Sequence, residues 1–323
     1  MTDIQTSAID RDQSVGLSTT SLSPRRQAYL RFRSHKAAVV GVFVLVFLLL
    51  WVLLSPITTR YGVNTAVLDI SEGANQNLSP RSIAWFGTDA LGRDLYSRII
   101  YGVRVSLVIG IFSAFLSLVI GTFIGSVAGL RGGRFDDIVM RVTDIFLAFP
   151  FLVALLVMRN FLGALSWLKP FVGEPSSVRF LITLFAVFGW MGVARVIRAQ
   201  VMSLKEREFI EASRALGGSS WHIIRRHMLP NSIGPLLVSL SLGVVGAIVS
   251  EATLALFGYG PNPGSGSTSL GLLVADSKLA ARAGYWWLAV FPFAALLIIT
   301  LCVSFIGDGL RDATDPKGTQ GRA

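Results

Sequence analysis

Residues 211–230 read EASRALGGSSWHIIRRHMLP, a polar break in an otherwise oily chain. Phe209, Ala212 and Leu216 recur at helical spacing and give one narrow apolar face. Gly217 suits the left-handed residue that closes such a helix, and Ser219 or Ser220 suits the cap of a second one. In that second helix Trp221, Ile224 and Met228 repeat the apolar spacing, and Pro230 is expected to end it. The pattern predicts helix, glycine turn, short helix. What lies on either side of it decides the fold.

Both flanks are apolar. The chain has 323 residues, of which 52% are hydrophobic and only 15% charged, with a mean hydropathy of +0.62. A soluble domain of this length needs far more charge to cover its surface, so the class is a polytopic membrane bundle of α-helices. Six stretches are long enough to cross, near Ala37–Leu54, Val105–Leu130, Ile138–Met158, Phe180–Val196, Ile233–Phe257 and Trp286–Ile306. Pro150 and Pro292 fall within two of them and are expected to kink them. Gly121, Gly125 and Gly129 fall at steps of four in the second. That stripe lets another backbone approach closely, or else reflects how common glycine is in membrane helices.

Charge sets the orientation. Residues 1–36 form a polar tail, rich in Ser and Thr at its start and expected to be disordered there; residues 55–104 form an extracytoplasmic segment. If the tail is cytoplasmic, 19 of the 29 Lys and Arg lie on the inner side, in the tail, residues 131–141, residues 195–226 and the C-terminal tail 307–323. This asymmetry places both termini and the 198–230 region inside. Outside, GTDALGRDLYSRIIYGVRVSL (87–107) reads as an amphipathic helix feeding the second span. Thr88 is its expected N-cap, and Asp89/Arg93 and Asp94/Arg98 are spaced to pair.

Catalytic chemistry finds little support. No Gly-Lys dipeptide occurs, hence no phosphate-binding loop, and neither Gly-x-Ser-x-Gly nor His-Glu-x-x-His is present. His222 and His227, five apart, are expected on different helix faces, a poor metal pair. Cys302 is the only cysteine, so no disulfide forms within the chain. Glu251 lies roughly 27 Å along the fifth span, near its outer end, where it is either a gate residue or a structural hydrogen-bond acceptor. A DNA-binding helix-turn-helix would show a similar 211–230 pattern, but membrane spans tether this one at both ends and keep it out of a major groove. A self-sufficient channel or secondary transporter would carry paired charges deep in several spans or a broken-helix repeat, and neither is evident.

Glu211-Ala212-Ser213, then Gly217, then Leu229-Pro230 resembles the "EAA…G…LP" cytoplasmic signature of ABC importer permeases. GTDALGRDLYSRIIYGVRVSL, ARVIRAQVMSLKEREFIEASRALG, HMLPNSIGPLLV, SEATLALFGYG and FIGDGLRDATDPK are similar to the dipeptide/oligopeptide/nickel branch, specifically its second, C-type subunit. Ser213 stands where the signature has its second Ala, and PNPGSGSTSLG (261–271) departs from the Pro-rich, Trp-containing loop common in the branch. The resemblance implies a type I ABC importer permease (MetI-like) fold with residues 105–306 as its core. It implies a bacterial inner-membrane protein that carries peptides, or alternatively a nickel chelate or another small solute. Its partners would be a homologous permease, two cytoplasmic ABC ATPases, an extracytoplasmic binding protein and membrane lipid, with no nucleic acid. ATP and Mg would bind the ATPases, leaving this chain without cofactor or catalysis. Glu211, Ala212, Ser213 and Gly217 would shape a joint, while Ser220, Trp221 and Ile224 would fill a cleft on the ATPase and Arg225 and Arg226 would meet its acidic rim or lipid headgroups.

Overall fold

The computed structural model describes residues 23–67, 76–261 and 268–314. The start of the N-terminal tail, part of the 261–271 loop and the end of the C-terminal tail lie outside those residues. Among the described residues the chain is helical, with only two isolated bridges, Ala66 with Arg93 and Thr88 with Asp94. The major helices are α1 (Pro24–Ser34), α2 (Lys36–Leu53), α3 (Leu95–Arg131), α4 (Gly133–Ala148), α5 (Phe151–Ala164) and α6 (Val178–Leu204). After them come α7 (Glu208–Ala215), the single turn α8 (Ser220–Ile223), α9 (Ile233–Leu256), α10 (Leu270–Arg282) and α11 (Trp287–Thr314).

Five of these, α2, α3, α6, α9 and α11, are long and apolar enough to cross a membrane. The sixth expected crossing is not a straight span. It is the pair α4 and α5, bent by 100° at Phe149–Pro150. Proline has no N–H to continue the ladder and pushes its predecessor out of helical geometry; Phe149 accordingly sits at φ −78°, ψ 143°. Pro292, in contrast, lies inside α11, which runs on without a break.

The second span and the segment before it form one helix of 37 residues, α3. At 1.5 Å per residue it is about 55 Å long, more than the ~30 Å of hydrocarbon, so part of it extends beyond a single crossing. Its cap is Asp94 rather than Thr88, with the carboxylate accepting the N–H of Ser97 at 2.9 Å and its hydroxyl at 2.7 Å. Thr88 Oγ1 instead accepts the N–H of Leu78. Turned back onto its own helix start, Asp94 does not pair with Arg98. Arg98 bonds Asp89 at 2.5 Å, beside the expected Asp89–Arg93 pair at 2.7 Å.

Helices α3 and α6 form the axis of the bundle. A Cβ on Gly121 would lie 2.5 Å from the carbonyl oxygen of Trp190, one on Gly129 3.0 Å from that of Arg198, and one on Gly125 would strike Ala194. The glycine stripe is therefore a seam for close backbone approach. At the same end Arg198 grips Asp136 with two bonds of 2.5 Å, and Arg195 pairs with Asp144, tying α4 to α6. Helices α9 and α11 pack beside this axis, and α1 and α2 lie along α11.

Candidate coupling site

Helix α7 ends in a two-bond glycine lock. The N–H of Gly217 bonds the carbonyl of Arg214 and the N–H of Gly218 bonds that of Ser213, both at 2.9 Å. This pair of bonds requires a left-handed residue, and Gly217 adopts φ +80° with open space around it. Gly218 is needed for a different reason: a Cβ there would lie 2.7 Å from the Ser213 oxygen. The sequence pattern singled out Gly217 and Ser213 but not this closing role of Gly218. Ser219, rather than Ser220, caps α8, accepting the N–H of His222 at 3.2 Å.

Beyond α8 the chain does not stop at Pro230. Residues 224–228 form a π turn in which the N–H of Leu229 reaches back to the carbonyl of Ile224. Pro230 then sits in a short helical turn, Leu229–Asn231, leading into α9. The proline cannot donate to Arg226, so the ladder widens by one residue just before it and continues. This widening corrects another expectation. With the ladder widened after His222, the rings of His222 and His227 come to lie side by side, their centroids 5.9 Å apart. His227 also lies 6.0 Å from the ring of Phe209. Among the described residues, no group of three or more His, Cys, Asp or Glu could hold a metal ion.

The inner face of this region belongs to the bundle. Ile210, Ile223, Ile224 and Met228 are buried with Val193, Ile197 and Val201 of α6. Ile224, expected to reach outward, is only 6% exposed and packs inside. The outer face is bare: Leu216 is 89% exposed and Trp221 57%, with Phe209, Glu211, Ala212 and Ser220 exposed near them. Ser213 and Leu229 are half-buried, and Pro230 is exposed.

Toward the opposite end of the bundle a buried carboxylate finds its partners within the chain. Glu251 is fully buried. Its carboxylate accepts the hydroxyl of Ser269 at 2.5 Å and that of Ser106 at 3.3 Å, together with the N–H of Gly271. Ser106 and Ser269 in turn accept the N–H groups of Leu270 and Leu272, each at 3.1 Å. The first turn of α10 is thus capped by residues of α3 and α9, and a carboxylate at a helix start also complements its dipole. Nearby, a cavity of about 500 Å³ is lined by residues that include Asp89, Arg93, Arg98 and Asp276. Burial raises the Asp276 carboxyl above the usual aspartate range, with the Arg98 guanidinium pulling it down.

Helices of this length around a glycine seam, with an exposed loop helix rooted in α6, define a multi-span membrane bundle. Residues 121–319 match the family described as binding-protein-dependent transport system inner membrane component, and residues 23–80 match the N-terminal TM domain of oligopeptide transport permease C. The chain belongs to that family, in its C-type dipeptide/oligopeptide/nickel branch, and is a multi-pass membrane protein. It is 37% identical to the oligopeptide transport system permease protein OppC of Bacillus subtilis (strain 168), over 93% of this chain and 92% of that one. It is 34% identical to the dipeptide transport system permease protein DppC of the same organism, over 92% of this chain and 87% of that one. A solved structure titled as inward facing conformations of the MetNI methionine ABC transporter aligns with a TM-score of 0.52 at 21% identity, over 68% of this chain and 96% of that chain. The fold is that of a type I ABC importer permease.

Proposed function

We propose that this chain is the permease subunit of an ATP-driven importer of peptides and forms half of the translocation path, a homologous permease forming the other half. Two cytoplasmic ABC ATPases bind ATP and Mg and hydrolyse the nucleotide, while this chain binds no cofactor and catalyses no reaction. An extracytoplasmic binding protein delivers the cargo. Both termini and the 211–230 region face the cytoplasm of a bacterial cell. The peptide cargo rests on the likeness to OppC and DppC.

The observation that supports this reading is the two-sided character of the 211–230 region. Ser220 and Trp221 stand out where an ATPase cleft would receive them, with Leu216 beside them. Ile223, Ile224 and Met228 root the same segment in α6. A push on Trp221 therefore moves α6, and the glycine seam passes it to α3. Ser213 and Arg214, just after Glu211 and Ala212, supply the carbonyls of the glycine lock that fixes the angle, and Leu229–Pro230 joins the segment to α9.

Gly217→Pro tests the coupling. Proline cannot adopt φ +80°, so the variant is expected in the membrane with ATP hydrolysis retained and uptake lost; wild-type uptake removes the coupling role. Orientation has its own check. Cys302 is buried and the only cysteine, so Leu216→Cys is expected to react with a membrane-impermeant thiol reagent only in inside-out vesicles, and labelling of intact cells reverses the topology.

A further inference from the structure

Between α3, α6 and α9 lies a cavity of about 170 Å³. Its lining includes Ser113, Gly189, Gly243 and Gly246, with Phe185 as an aromatic wall, and no charged side chain takes part. Ser113 stands at the centre of α3. It is 1% exposed, and its hydroxyl has no hydrogen-bond partner. Ser241, Ser250, Thr253 and Thr300 each bond the carbonyl four residues back on their own helix; Thr122 and Ser126 of α3 are without a partner like Ser113, and of the three Ser113 lines the cavity. A buried hydroxyl without a partner is costly, and this one borders the cavity.

The glycines give a second, independent observation. A Cβ on Gly189 would run into the Ser117 side chain, and one on Gly243 would come within 3.2 Å of Ala114. Packing explains both. At Gly246 an added Cβ meets nothing within 4 Å, although glycine inside a helix is less stable than alanine. Nothing in this chain requires the missing side chain there.

We propose that the cavity is a cargo subsite in which the Ser113 hydroxyl bonds a main-chain amide of a peptide in transit and Gly246 leaves room for the adjoining side chain. The proposal rests on the peptide-importer reading and names the contact that reading lacks. A hydroxyl both donates and accepts, so it serves the N–H or the C=O of any residue and favours no sequence. A neutral site also holds cargo loosely enough to release it, as a transport path requires.

The test uses the complete importer, with partner permease, ATPases and binding protein, in proteoliposomes. Uptake of trialanine is compared with that of Ala-Phe-Ala. Gly246→Val is expected to assemble and hydrolyse ATP as the wild type does, while Ala-Phe-Ala uptake falls about tenfold relative to trialanine. Ser113→Ala is expected to melt no lower than wild type, because it removes an unsatisfied group, yet to lower uptake of both peptides about fivefold, the worth of one hydrogen bond. An unchanged uptake ratio in Gly246→Val, or unchanged uptake in Ser113→Ala, overturns the subsite. Loss of the partner permease from Gly246→Val overturns it too, by making the cavity part of the subunit interface. A wild-type importer that moves neither peptide, but moves another solute, fails at the functional reading itself, and the peptide subsite falls with it.

Discussion

The two ends of the bundle handle their polar and apolar groups in opposite ways. At the Glu251 end, the Ser106, Ser269 and Glu251 side chains and the first N–H groups of α10 find partners within the chain. At the 211–230 end, the backbone is equally well satisfied by the glycine lock, but large apolar side chains are left uncovered. The Glu251 cluster needs no outside partner, although Phe257 and Leu279 beyond it stay exposed. The 211–230 end is a rigid part with an unmatched surface, which suits contact with a separate protein. Rigidity and exposure therefore coexist in one segment of about twenty residues, and they can be tested separately.

The largest loss of stability is expected from Met228→Ala. Met228 is fully buried against α6, so truncation costs about 2–5 kcal/mol and detaches the loop helix from the bundle. A thermal melt in detergent checks this, and an unchanged midpoint breaks the claim that the segment is rooted. Next comes Glu251→Ala: the Ser106 and Ser269 hydroxyls rotate to other acceptors, which leaves the Gly271 N–H as the orphan at about 1–3 kcal/mol. Glu251→Gln keeps an acceptor and is expected to lose less. Equal melting points for the two variants argue that the hydrogen bonds are not what holds α10. Gly217→Ala comes third, at about 1–2 kcal/mol for a side chain forced to positive φ, with coupling impaired more than folding.

Trp221→Ala stands last on this scale and sharpens the contrast most. Removing an exposed side chain is expected to change stability by no more than about 0.5 kcal/mol. An exposed tryptophan at the centre of a docking surface is worth about 2 kcal/mol or more, so affinity for the ATPase subunits is expected to fall roughly thirtyfold. Pull-down of the ATPases from a titration series measures it. Unaltered affinity with unaltered stability leaves the exposed face without a partner role.

Much of this was legible in the sequence. The apolar runs placed five crossings to within a few residues at most of their ends, because a bilayer demands length and hydrophobicity that few other structures need. The steps of four in Gly121, Gly125 and Gly129 gave the seam, and Gly217 announced its positive φ through the turn chemistry around it. The Asp89–Arg93 pair was readable as well, being local.

Tertiary structure decided the rest. Ile224 and Trp221 share a spacing, yet one faces the bundle and the other open space. Periodicity identifies an apolar face but not whether α6, lipid or another protein covers it. Asp94 could pair with Arg98 or cap the helix at Ser97, and the chain folding around Asp89 settled which. The π turn that unites His222 and His227 arises from a proline acting against a ladder that tertiary packing keeps helical. The partners of Glu251 are 145 and 18 residues away, a juxtaposition no local pattern encodes. Sequence determined which segments must leave water and where the backbone must turn, since both follow from the residue's own chemistry. Which surfaces meet was decided by packing, because apolar faces alike in composition become distinct only when the chain closes on itself.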